Sequence, residues 1–113
     1  MSLSEKLLAS QTTREAVELG ELGTIYIRQL TLAEMGALRR WFRDGAGDSI
    51  PDESVIAKTL ATCCVDETGS PVFFREQLEA LGKLPSPMAD KLFRVANRLN
   101  HITAAAEEDV RKN

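Results

Sequence analysis

Few residues in this chain are of types that could do chemistry, and none stands in the company a reaction needs. His101 is the sole histidine among 113 residues, so a Ser-His-Asp or Cys-His constellation has one possible base and no motif to orient it. Its expected role is a polar residue at a helix bend or edge. Cys63 and Cys64 are adjacent within an apolar run. Neighbouring cysteines join only through a strained ring that closes no useful loop, so they are expected as reduced, buried thiols. A redox switch is the alternative reading.

The remaining candidate motifs fail on spacing. Asp44-Gly45-Ala46-Gly47-Asp48-Ser49 is acidic and glycine-rich, but a calcium loop starting at Asp44 needs glycine where Ser49 stands and glutamate where Val55 stands. A phosphate loop needs Gly-Lys-Ser/Thr leading into a helix. A flexible loop is expected there instead. No Cys/His spacing fits zinc, and the acid pairs Asp66-Glu67 and Glu107-Glu108 have no feature that would push their pKa values apart for acid-base work. The expectation is a protein that is not an enzyme and takes no cofactor or metal, so that function lies in its surfaces.

One surface motif has two readings. Arg39-Arg40-Trp41-Phe42-Arg43 mixes cations with aromatics, a composition used by some nucleic-acid-binding surfaces. On a helix, Trp41 and Phe42 continue an apolar stripe and leave the three arginines solvated on another face. Formal net charge is −3, so no global positive field concentrates nucleic acid or anionic lipid, although a local basic patch remains open. No stretch approaches the roughly 18 apolar residues needed to span a bilayer, and the N-terminus does not read as a secretory signal. A cytoplasmic protein is expected.

Hydrophobic residues at 43% and charged residues at 27% are ordinary globular values. The expected architecture is mainly α, a compact helical domain over residues 1–113 with a small N-terminal β-hairpin and mobile ends at about 1–12 and 104–113. Leu3, Leu7 and Leu8 have helical spacing, but the run is too short to be stable alone and is expected to fray or to order against a partner. Ala16 to Leu19 and Thr24 to Arg28 flank Gly20-Glu21-Leu22-Gly23 and predict the hairpin. Thr31-Leu32-Ala33-Glu34 predicts a capping box that opens a helix at Leu32, with Leu32, Met35, Leu38, Trp41 and Phe42 on one stripe and Gly45 at its end.

Acidic Asp52-Glu53 opens the next helix, whose core face is Val55, Ile56, Thr59, Leu60, Cys63 and Cys64. It stops before Gly69. Val72-Phe73-Phe74 suits a short extended segment, and Phe74, Leu78 and Leu81 a short helix closed by a left-handed Gly82. Ser86 caps the last and longest helix, with Pro87 in its first turn. Its stripe runs through Met88, Leu92, Val95, Ala96, Leu99, Ile102 and Thr103, with a bend at Asn100-His101, and a charged mobile tail follows from Ala104.

Four phrases in this order resemble the tail assembly chaperones of long-tailed phages and prophages over about Leu19 to Asn100: Leu22 to Arg28, Leu30-Thr-Leu-Ala-Glu34, Val65-Asp-Glu-Thr-Gly-Ser-Pro-Val-Phe-Phe74 and Leu78 to Pro85. The resemblance implies a small, mostly helical, non-enzymatic chaperone that coats the tape measure protein and keeps it soluble while tail-tube subunits polymerise around it. It also implies a protein of the bacterial host cell that is absent from the finished virion. This chain would correspond to the short form, beside a longer frameshifted one. Partner contacts are expected from Leu3, Leu7 and Leu8, and self-association is open. The alternative is a helical nucleic-acid-binding regulator acting through Arg39, Arg40 and Arg43.

Overall fold

The element order follows from local capping and alternation, with one strand added by long-range pairing. A computed structural model describes residues 1–44 and 52–102. The elements are α1 (Leu3–Leu8), β1 (Arg14–Glu18), β2 (Thr24–Arg28), α2 (Leu32–Arg43), α3 (Asp52–Cys63), β3 (Cys64–Val65), α4 (Leu78–Leu81) and α5 (Ser86–Asn100). The architecture is mainly α with a small antiparallel sheet of order β1-β2-β3. Among the described residues no helix is long and apolar enough to cross a membrane. The expected loop from Gly45 and the tail from Ala104 lie outside the described residues.

The hairpin pairs Arg14 with Arg28 through Glu18 with Thr24, so it begins two residues before the apolar signal at Ala16. Alternation places Val17, Ile25 and Ile27 in the core while their neighbours face outward. Its turn is a short 3-10 segment, Gly20–Leu22, closed by Gly23, and both glycines take positive φ, a conformation that side-chain-bearing residues rarely adopt. Leu19 N–H donates to the Gly23 carbonyl at 2.8 Å and closes it.

Thr31 caps α2 as expected: its hydroxyl accepts from Glu34 N–H at 3.2 Å and the Glu34 carboxylate accepts from Thr31 N–H at 2.9 Å. Arg28 also donates to that carboxylate at 2.9 Å, joining the end of β2 to the start of α2. The guanidinium of Arg28 holds Glu34 at a pKa of about 2, below its usual 4.5. Leu38 and Phe42 are buried, but Leu32 is 90% exposed. As the first helical residue it precedes the stretch of α2 that meets the core, so the predicted stripe begins at Met35.

A second correction concerns Cys64. The helical face continues only to Cys63; Cys64 and Val65 form β3, paired with Ile27 and Tyr26 of β2. The chain reverses through Asp66 to Ser70, with Asp66 N–H donating to the Ser70 carbonyl at 2.8 Å and Gly69 at positive φ. The Asp66 carboxylate accepts from the Thr68 hydroxyl and from the Ser70 and Thr68 backbone N–H groups, which hold its pKa below the usual range. The expected extended segment after the turn is a brief return, in which Pro71 bridges Val65 and Val72 N–H donates to the Cys64 carbonyl at 3.1 Å.

The end of α4 also departs from expectation. Gly82 has φ −64° and ψ −14°, a right-handed conformation, because the chain winds on through Lys83 and Leu84, whose N–H groups bond to Ala80 and Leu81. The left-handed residue is His101, which ends α5 at φ 56° and ψ 47°. That terminus explains the predicted bend and returns Ile102 to the core. Ser86 is already helical and Pro85 is the cap residue, one position from expectation.

Two clusters make the core. One joins the sheet to α3, α4 and α5 through Val17, Ile25, Ile27, Leu60, Cys63, Cys64, Leu81, Leu92 and Ala96. The other joins α2 to Val55 and Ile102, and Leu30 packs against both. Asn100 fastens the seam. Its side-chain oxygen accepts from Leu30 N–H at 2.8 Å, and its amide donates to the carbonyls of Arg28 at 3.1 Å and Ala96 at 3.2 Å.

Candidate functional site

The two thiols are placed for packing, and the imidazole is not. Cys63 and Cys64 are fully buried, and burial raises both thiols, Cys63 to about 12. Nucleophilic chemistry needs the thiolate, so both are inert in the folded protein. His101 is exposed at the end of α5, where its backbone N–H bonds to the Asn97 carbonyl. Among the described residues no three His, Cys, Asp or Glu side chains converge to hold a metal ion.

The N-terminal helix is the clearest unpaired surface. Ser2 and Glu5 form a capping box that fixes its start. No residue of α1 is buried, and Leu3, Leu7 and Leu8 are 72%, 63% and 85% exposed. Leu3 and Leu7 are four residues apart and so share a face. A two-turn helix is marginal on its own, and its three leucines leave apolar area exposed.

The arginine cluster is divided rather than uniformly solvated. Arg40 and Arg43 are exposed, whereas Arg39 is half-buried and its Nε is shielded without a hydrogen-bond partner. This corrects the expectation of three arginines on one solvated face. Trp41 is half-buried, with the Arg75 guanidinium 4.2 Å from its ring centre and Lys58 Nζ at 5.7 Å. Lys58 also donates to the Trp41 carbonyl at 2.7 Å, and burial lowers its pKa. Sequence reasoning missed Arg75 and Lys58 because both reach Trp41 from other elements.

Between α3 and α4 lies a groove of about 420 Å³ lined by Glu53, Ser54, Ala57, Leu78, Glu79, Gly82 and Lys83. Ser54, Ala57 and Leu78 are half-buried, and the last two also pack on the main core; the other lining residues are exposed. The groove is therefore apolar and small-residue within, and charged at its margin. No sequence signal marked it, since its walls are two helices joined only by tertiary packing. A second groove of about 290 Å³ lies between the start of α2 and the end of α5, where exposed Leu32 stands beside Met35 and Leu99.

No known family model matches the chain, and no curated protein matches it by sequence. Its fold does match a solved structure described as that of the bacteriophage HK97 tail assembly chaperone. The TM-score is 0.59 at 16% sequence identity, over 88% of this chain and 95% of that one. The chain has the tail assembly chaperone fold.

Proposed function

We propose that this protein is a phage tail assembly chaperone, acting without catalysis by binding the tape measure protein and keeping it soluble while tail-tube subunits assemble. The observation that carries this reading is the shared fold over nearly the whole of both chains. The order of sequence phrases from Leu22 to Pro85 points the same way. Exposed leucines on α1 supply apolar surface of the kind that covers a partner's amphipathic helix. The protein would work in the cytoplasm of the bacterial host and be left out of the finished virion.

Co-expression with the tape measure protein tests this directly. The tape measure protein is expected in the soluble fraction only when this chain is present, and to co-purify with it. Replacing Leu3, Leu7 and Leu8 together by serine should weaken co-purification without lowering the melting temperature, because none of the three is buried. An insoluble tape measure protein in the presence of abundant folded chain would defeat the proposal.

The Arg75 guanidinium over the Trp41 ring is a second cation–aromatic contact of the kind the nucleic-acid reading would use. Charge reversal at Arg40 and Arg43, both exposed, separates the two readings. It should abolish phosphate contacts but perturb an apolar protein interface only weakly.

A further inference from the structure

The groove between α3 and α4 pairs an apolar interior with an unbalanced charged margin. Ala57 and Leu78 present half-buried apolar surface, and Gly82 adds no side chain to the opening. Glu53 and Glu79 contribute two carboxylates to the lining against the single ammonium of Lys83. Its volume of about 420 Å³ is large enough to take bulky apolar side chains from a partner. Small side chains at Ser54, Ala57 and Gly82 let a helix come close.

We infer that this groove seats a cationic amphipathic helical segment of the client, with a large apolar side chain against Ala57 and Leu78 and a lysine or arginine beside it meeting Glu53 and Glu79. The inference deepens the chaperone reading and rests on it. An acidic helix would meet like charge at the two glutamates. A helix with a basic residue three or four positions from its apolar anchor presents both groups on one face. This specifies which parts of a long helical client the chaperone covers, namely basic, leucine-type segments.

The test uses the full chain co-expressed with the tape measure protein, in wild-type form and as Ala57→Trp, Glu79→Lys and Glu53→Lys/Glu79→Lys. Ala57→Trp fills the groove without changing charge; the lysine variants reverse its charge at exposed positions in the first turns of α3 and α4, so their melting temperatures are compared with wild type. Circular dichroism melting confirms the fold of each. Recovery of soluble client should fall about tenfold in each groove-directed variant, and soluble client should return when Glu79→Lys is paired with a client whose basic residues are changed to glutamate. Undiminished recovery in all three variants overturns the groove assignment and leaves the chaperone reading intact. Failure of the wild-type chain to solubilise the client removes both. Analytical ultracentrifugation adds one more outcome: if the variants lose self-association but keep the client, the occupant is a second copy and the inference is wrong.

Discussion

Asn100→Ala should be among the more damaging substitutions at a residue that is not fully buried. Its side chain accepts from Leu30 N–H at 2.8 Å and donates to the Arg28 carbonyl at 3.1 Å, joining the end of α5 to the segment between β2 and α2. Each such bond contributes about 1 kcal/mol net, and a half-buried backbone group left without its partner costs somewhat more. Alanine's better helix propensity offsets roughly 0.5 kcal/mol. The expected loss is therefore about 2 kcal/mol. For a chain of this size that corresponds to a melting temperature lower by roughly 8–12 °C. Asn100→Asp keeps an acceptor for Leu30 N–H but sets a carboxylate oxygen against the Arg28 carbonyl, so at neutral pH it should be at least as damaging. Thermal melts followed by circular dichroism measure both. A fall of less than about 2 °C for Asn100→Ala would refute the claim that this residue fastens the seam.

Leu92 is 1% exposed in the main core, so Leu92→Ala should cost about 2–5 kcal/mol by chemical denaturation. Thr59 is fully buried and its hydroxyl has no hydrogen-bond partner; Thr59→Val should raise stability by about 1 kcal/mol, and a loss would reveal a partner for that hydroxyl. Glu34 is held at about 2 in the folded protein against 4.5, so its stabilisation is full above the unfolded value and is lost as pH falls through the folded one. Urea midpoints between about pH 5 and pH 2 should decline less steeply in Glu34→Gln than in wild type. Cys63 and Cys64 should resist an aromatic disulfide reagent until the chain unfolds, and Cys63→Ala and Cys64→Ala should each bind the client as wild type does; rapid native labelling would place a thiol at the surface.

What was legible in the sequence lay within a few residues of its own signal. The Thr31/Glu34 capping box, the Gly20–Gly23 turn and the apolar face of α3 each depend on neighbours that sequence spacing displays. Cys64 was not legible as a strand, because its extended conformation is set by pairing with Ile27 on a distant hairpin. Glycine's preference for a left-handed helix end favoured Gly82, yet continued hydrogen bonding keeps it right-handed and the return of Ile102 to the core imposes the left-handed turn on His101. The helical spacing of Leu3, Leu7 and Leu8 was legible, whereas the Ser2 and Glu5 capping box that fixes the start of α1 was not read from the sequence. The groove and the Trp41 cation contacts required the tertiary fold, since each combines residues from separate elements.

The central claim is most directly measured by light scattering as denatured tape measure protein is diluted into buffer with and without an equimolar amount of this chain. The account predicts that aggregation is suppressed at low salt and stays largely suppressed at high salt, because apolar contacts persist while only the pairing at Glu53 and Glu79 is screened. Unimpeded aggregation of the tape measure protein, together with DNA binding that is lost steeply as salt is added, would contradict it.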